Sequence, residues 1–227
     1  MKQLTEKQLA VLLKNTVVRD GQGAPLKVYR GEHSALAAGD SGVKTLLGSV
    51  SFGDPKTASS YAIEPNNSNH TAEAPRVYPA YLIINKPFLN DPGDPFVDFG
   101  YVEKRLGKEV ADRFFLKHAS FAENTNNWQD EINPDCKWGS IAEFHKAHPE
   151  RMNELYMELY PLLDDPDFIA ILREKGYDGA IYCGSGENGV EDEFRVFDST
   201  SIIYALSREI ELKPRREKSL EVEGLAA

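Results

Sequence analysis

The chain has 227 residues, more than the roughly 150 of an average domain and too few for two full ones, so one large domain or one domain with an insertion is predicted. Apolar residues make up 41% and charged residues 27%, which excludes collagen-like, low-complexity and disordered chains. With 26 Lys and Arg against 36 Asp and Glu, the net charge is −10, which disfavours a nucleic-acid partner without excluding one.

Cysteine usage indicates a reducing compartment, and hydropathy predicts no membrane-spanning segment. Cys136 and Cys183 have no C-x-x-C spacing and no clustered His beside them, so neither a disulfide framework nor a structural zinc site is predicted, and we expect no metal. No stretch approaches the roughly 20 apolar residues that span a bilayer, and the N-terminus lacks the apolar core of a signal peptide. We expect a cytoplasmic protein with no membrane partner.

The first part of the chain alternates short helices and strands. A helix after the possible cap Thr5 is followed by a β run that ends at Arg30, and Gly31 comes directly after it. A second β run covers residues 49–52, and a helix is predicted to begin at Pro55 with Asp54 before it. Residues 77–85 form another strong β run. This texture predicts a β core with an N-terminal helix.

Helical periodicity replaces the β texture further along the chain. Residues 88–160 are predicted to be a helical insertion, and a helix at residues 167–175 follows it. A strand at 177–183, a glycine-rich loop at 184–190 and two last β runs complete the pattern. We therefore predict a single α+β domain over residues 1–212, with residues 213–227 as a charged flexible tail.

Two carboxylates are presented together near the C-terminus. Glu191 and Glu193 lie two residues apart in a predicted strand, so alternation places both on one face, with Arg195. Phe194 and Val196 point the other way, into the core. Paired carboxylates suit chemistry at an anomeric carbon, where one stabilises a sugar cation and the other is the base for a nucleophile. A solvated strand face is the alternative for an isolated E-x-E.

Three segments together resemble the ADP-ribosyltransferases, in particular the toxin-like branch and the compact domains of phage polyvalent proteins. These carry an Arg at the end of an early strand, a Ser-Thr-Ser strand and a late E-x-E. Here they correspond to Arg30, to Ser49-Val50-Ser51 with Val50 in place of the threonine, and to Glu191 and Glu193. The resemblance covers residues 26–86 and 160–207. It implies a split, mostly antiparallel β core with a cleft for NAD.

The resemblance also implies roles for individual residues. The positions that would contact NAD are Arg30, Gly31, Ser49, Ser51, Phe52 and Tyr61. Arg30 would bind the diphosphate, and Tyr61 would stack on the nicotinamide ring. Glu193, oriented by Ser51 or Ser49, would hold the ribose hydroxyl and stabilise the transition state. Glu191 would engage the acceptor.

The implied activity is mono-ADP-ribosyl transfer from NAD to a macromolecule, with release of nicotinamide. Protein arginine is the favoured acceptor because of Glu191. Three alternatives stay open: an NAD glycohydrolase with water as acceptor, ADP-ribosylation of RNA or DNA, and a non-catalytic module that binds NAD. The sequence leaves the target, the biological setting and the oligomeric state open.

Overall fold

The computed structural model describes residues 5–32, 48–63, 75–186 and 189–205. They form an α+β protein. The helices are α1 (Glu6–Leu12), α2 (Pro55–Ile63), α3 (Phe99–Leu106), α4 (Lys108–Lys117), α5 (Ala119–Glu123), α6 (Ile141–Ala147), α7 (Tyr160–Leu163) and α8 (Pro166–Glu174). The strands are β1 (Val28–Glu32), β2 (Val50–Phe52), β3 (Arg76–Leu82), β4 (Pro87–Asp91), β5 (Phe96–Asp98), β6 (Tyr156–Glu158), β7 (Gly179–Gly186), β8 (Gly189–Val196) and β9 (Ile202–Tyr204). The predicted tail at residues 213–227 lies outside the described residues.

Two sheets form the β core. The first has the strand order β1-β3-β9, and the second has the order β2-β8-β7-β4. All pairs in these sheets are antiparallel except β4 with β7, which is parallel. Tyr29 and Gly53 exchange backbone hydrogen bonds of 2.8 and 2.9 Å, so that β1 of one sheet is joined to the end of β2 in the other.

Helix starts follow the capping chemistry expected from the sequence. The Thr5 side chain accepts a hydrogen bond from the Gln8 backbone N–H, and the Gln8 side-chain oxygen accepts one from the Thr5 backbone N–H, which confirms the predicted N-terminal helix. Asp54 receives the backbone N–H groups of Lys56 and Thr57 at the start of α2. Among the described residues, no helix has both the length and the apolar character needed to span a membrane.

Apolar residues form two separate cores on the two faces of the second sheet. Between the sheets, ten buried residues pack together, including Val28, Phe52 and Phe194. On the opposite face, the helical segment supplies the larger core, which reaches the sheet at Ala180 and Tyr182. Because strand side chains alternate, the side chains of β8 that point away from the inter-sheet core point toward the helical segment.

The predicted insertion at residues 88–160 is not purely helical. β4 occupies its beginning and pairs with β7, so residues 87–91 belong to the core sheet. β5 and β6 lie further inside it and form a two-stranded antiparallel sheet of their own. These strands have only three to five residues each, which leaves too few alternations to outweigh the helical pattern around them.

A buried carboxylate joins α8 to the helical segment. Asp165, 4% exposed, receives Lys117 Nζ at 2.6 Å and His118 Nε2 at 2.8 Å. It also caps α8 by accepting the Asp167 N–H at 3.0 Å. Burial raises the pKa of Asp165, but the hydrogen bonds from Lys117, His118 and the Asp167 backbone outweigh burial and bring the pKa below its ordinary value.

Replacing Asp165 by asparagine should lower the free energy of unfolding at pH 7 by about 2 kcal/mol, because hydrogen bonds to a buried charge are lost. The depressed pKa means that the carboxylate stabilises the fold fully above its unfolded-state pKa of about 3.9 and loses this contribution as pH falls through the folded-state pKa. Urea unfolding at pH 7 and in acid measures both effects. Asp167→Asn is the control, since that side chain is 61% exposed and should change the unfolding free energy by less than about 0.5 kcal/mol. Equal losses in both variants would contradict this prediction.

Candidate active site

The fold brings three of the predicted site residues, Arg30, Ser51 and Glu193, together across the junction of the two sheets. Ser51 Oγ donates a hydrogen bond of 2.6 Å to Glu193 Oε1. The Ser51 carbonyl accepts one of 3.0 Å from Arg30 Nη1. Ser51 therefore links the cationic side chain of β1 to the carboxylate of β8, although these residues are far apart in the sequence.

The two oxygens of Glu193 have different surroundings. Oε1 accepts hydrogen bonds from Ser51 Oγ and from Arg195 Nε, each at 2.6 Å. Oε2 lies against the backbone of Gly184, where a Cβ atom would come within 2.8 Å of it. No hydrogen bond from a described residue reaches Oε2. One oxygen is therefore fixed by two hydrogen bonds from the protein, whereas the other has none from a described residue.

Arg30 lies at the rim of this site, with its side chain 21% exposed. Its Nε contacts the carboxylate of Glu32, two residues further along β1. The ion pair and the bond to Ser51 hold the guanidinium in place. A planar guanidinium held in this way presents several N–H donors in a fixed geometry, which suits a phosphate or carboxylate group.

Gly31 contributes its backbone and its lack of a side chain. Tyr29 turns its N–H and C=O toward Gly53, and alternation along β1 turns the same groups of Gly31 to that side, away from β3. An added Cβ would lie 1.9 Å from the Ala58 carbonyl oxygen of α2. Glycine thus permits α2 to approach the strand directly beside Arg30.

Glu191 lies apart from the Arg30–Ser51–Glu193 chain. Its carboxyl group lies near that of Asp54, the cap of α2, and its buried Oε2 has no hydrogen bond of normal geometry to a described residue. Burial, followed by the Asp54 carboxyl, raises the pKa of Glu191 above its ordinary value. Burial also raises the pKa of Asp54, but hydrogen bonds from the backbone of Thr57, the Glu191 side chain and the backbone of Lys56 outweigh it and lower that pKa. The surroundings therefore favour protonation of Glu191 over protonation of Asp54.

The remaining predicted residues do not reach the carboxylate. Phe52 is 2% exposed and its side chain belongs to the core between the sheets, so its contact with NAD stays a prediction. Ser49 is buried behind Ser51, where its hydroxyl donates to the Leu163 carbonyl at 2.6 Å rather than to Glu193. Tyr61 on α2 is 38% exposed, and its ring stacks on no described residue.

Four residues whose site contacts were not predicted complete the surroundings: Arg195, Asp164, Tyr182 and Gly184. Arg195 could have been found from its spacing, since it lies two residues after Glu193 on the same strand face. Tyr182 pairs with Glu193 across β7 and β8. Its buried hydroxyl lies near Glu193 and Arg195 without a hydrogen bond of normal geometry to a described residue. Burial, more than any neighbour, raises its pKa well above the ordinary value.

The class of protein defined by the structure is an α+β fold with a carboxylate–serine–arginine site at the junction of two sheets. No protein-family model, curated protein or solved structure matches the chain.

Proposed function

We propose that the chain is a mono-ADP-ribosyltransferase that transfers ADP-ribose from NAD to a macromolecular acceptor, with protein arginine favoured. The observation that carries this proposal is the contact chain from Arg30 through Ser51 to Glu193. This contact chain supports the proposal because Arg30, the cation that would bind the diphosphate, is linked through Ser51 to the carboxylate that Ser51 orients. The resemblance seen in the sequence rests on the same three residues.

The reaction would proceed by displacement at the anomeric carbon of the nicotinamide ribose. The bond from this carbon to the nicotinamide nitrogen breaks, and its electron pair neutralises the ring. A nitrogen of the acceptor forms the new bond and releases a proton to water. Positive charge develops on the ribose as the first bond lengthens, and the Glu193 carboxylate is placed to stabilise that charge.

Other residues would bind the rest of NAD. Arg30 holds the diphosphate, and the outward-facing N–H and C=O of Gly31 pair with the nicotinamide carboxamide. Tyr61 has an accessible ring on α2, which packs against Gly31, and is the candidate for stacking on nicotinamide.

The acceptor chemistry can be tested with NAD labelled in its adenylate moiety and a whole-cell extract. We expect label on protein that survives nuclease and is lost with protease. Label that nuclease removes would contradict a protein acceptor and indicate RNA or DNA. Free labelled ADP-ribose without labelled macromolecules would indicate an NAD glycohydrolase. Intact NAD would indicate a non-catalytic binding module.

Replacing Glu191 by glutamine should separate the two halves of the reaction. Glu191 makes no contact with the Arg30–Ser51–Glu193 chain, so nicotinamide release should stay within about threefold of the wild type, while transfer to arginine falls about 10²-fold. Both rates are measured with labelled NAD and an arginine-containing peptide.

Asp192→Asn is the matched control for this variant, since Asp192 is exposed on the opposite face of β8 and should leave both rates unchanged. The raised pKa of Glu191 adds a pH test. Only the ionised carboxylate attracts a guanidinium, so wild-type transfer should decline with falling pH earlier than a glutamate of ordinary pKa would dictate. Equal loss of release and transfer in Glu191→Gln would instead place Glu191 in the NAD site.

A further inference from the structure

Arg195 is a buried cation held between two carboxylates. Its side chain is 9% exposed. Nε donates to Glu193 Oε1 at 2.6 Å, and Nη1 donates to Asp164 Oδ1 at 2.6 Å. Nη1 also lies 3.3 Å from Ser49 Oγ. Burying a guanidinium costs desolvation free energy unless such partners surround it. Two acidic side chains compensate for that cost here and hold Arg195 in place.

The guanidinium remains charged in this environment. Burial alone would lower the pKa of Arg195, but Tyr182, Glu193 and Asp164 raise it above its ordinary value. The site therefore contains a permanent positive charge in direct contact with the carboxylate of Glu193.

The partners of Arg195 come from different parts of the fold. Glu193 lies on β8, whereas Asp164 directly follows α7, at the end of the helical segment. The next residue, Asp165, is fixed by Lys117 and His118 of that segment. A series of polar contacts, linked through the adjacent residues Asp164 and Asp165, thus connects the helical segment to Glu193.

The geometry of Glu193 depends on this series. Ser51 and Arg195 approach the same oxygen, Oε1, from two strands, and two donors fix the plane of a carboxylate better than one. Gly184 leaves room for Oε2. If Arg195 moved, Ser51 alone would hold the carboxylate, which could then rotate about its last bond.

We infer that Arg195 is a positioning residue for Glu193, and that Asp164 holds Arg195 so that Oε2 of Glu193 faces the ligand. This inference rests on the proposed function, because the group that would donate a hydrogen bond to Oε2 is a hydroxyl of the nicotinamide ribose. Arg195 itself contacts no substrate. It acts on the rate of bond breaking through Glu193 and has little effect on the affinity for NAD.

A purely structural ion pair would behave differently. Loss of the pair would then reduce the amount of folded protein, while each folded molecule would release nicotinamide at the normal rate. A positioning role predicts a lower kcat per folded molecule with a nearly unchanged KM, since misplacement of a reacting group by about 1 Å costs up to about 10²-fold in rate.

The variants are Arg195→Lys, Arg195→Gln and Asp164→Asn in the full chain, with Arg173→Lys as the matched control. Arg173 forms an ion pair with Asp198 in which its side chain is 55% exposed. Folded protein is quantified by circular dichroism, and kcat and KM for NAD are measured from nicotinamide release. We expect kcat to fall about 10- to 100-fold, less for lysine than for glutamine, with KM within about threefold. Arg173→Lys should match the wild type.

A crystal structure of Arg195→Gln provides a readout that does not need activity. In this variant we expect the Ser51–Glu193 hydrogen bond to be lost or the Glu193 carboxylate to be rotated. In Arg173→Lys we expect the hydrogen bond and the wild-type orientation of the carboxylate to be retained. Wild-type kcat per folded molecule with an unmoved Glu193 would overturn the inference while the proposed function stands. A raised KM with normal kcat would also overturn it. If the wild-type protein releases no nicotinamide but Glu193 still moves in the Arg195→Gln structure, the proposed function is overturned and the positioning of Glu193 by Arg195 stands.

Discussion

Replacing Glu193 by glutamine should reduce nicotinamide release from NAD by at least about 10³-fold. The amide has nearly the same size as the carboxylate, and its oxygen can still accept the hydrogen bond from Ser51. It lacks the negative charge that stabilises the developing ribosyl cation. Arg195 keeps its ion pair with Asp164 in this variant, so the buried charges remain balanced and the fold should survive.

The measurement pairs nicotinamide release with calorimetric titration of NAD. We expect the dissociation constant for NAD to stay within about threefold, because the loss concerns an interaction that strengthens only in the transition state. Glu191→Gln is the control, since it removes a neighbouring carboxylate that does not touch Ser51. A Glu193→Gln protein with wild-type release would refute the role assigned to Glu193.

Replacing Gly31 by alanine should lower the free energy of unfolding by more than about 3 kcal/mol. The added methyl group would lie 1.9 Å from the Ala58 carbonyl oxygen and 2.9 Å from the Ala62 nitrogen, both backbone atoms of α2. Neither atom can move aside by rotating a side chain. The helix would have to separate from β1, which would also disturb the segment that carries Tyr61.

Urea unfolding followed by circular dichroism measures this loss. Gly100→Ala is the matched control, because Gly100 lies in α3 and a Cβ there would meet nothing within 4 Å. That variant should be neutral or more stable by up to about 1 kcal/mol, as alanine favours the helix. If Gly31→Ala unfolds within about 1 kcal/mol of the wild type, α2 is not packed against Gly31 as described.

Strand alternation was enough to predict much of the site. It placed Glu191, Glu193 and Arg195 on one face of β8, as the structure shows. The same rule puts the Phe52 side chain on the face opposite Ser51, in the core between the sheets. The order of the three sequence motifs, rather than any single motif, predicted one site with Arg30, Ser51 and Glu193, and the structure has these residues in a chain of contacts.

Local chemistry also predicted the helix starts at Thr5 and Pro55. It failed where tertiary pairing decides the structure. Proline is ordinarily confined to a strand start or an edge strand, yet Pro79 lies in β3, the central strand of its sheet. The pairing with β9 covers Ala80–Leu82, and at Pro79 the Ala205 N–H donates to the proline carbonyl at 2.8 Å while proline has no N–H to return.

The contacts that extend the site could not have been predicted from spacing. Arg195 and Asp164 are 31 residues apart and belong to a strand and a helix end, which no periodicity relates. The pairing of Glu191 with Asp54 depends on how α2 meets β8. The segment predicted as a glycine-rich loop at residues 184–190 is strand where the structure describes it, since β7 extends to Gly186 and β8 begins at Gly189, and residues 187–188 lie outside the described residues.

The most direct test of the proposed function is the fate of NAD when the purified protein is given a small guanidino compound as acceptor. NAD is labelled separately in nicotinamide and in adenylate, and the products are resolved by chromatography. We predict one nicotinamide released for each ADP-ribose attached to the guanidino nitrogen. NAD that remains intact over many hours, with the protein folded and the acceptor in excess, would contradict the assignment of this chain as an ADP-ribosyltransferase.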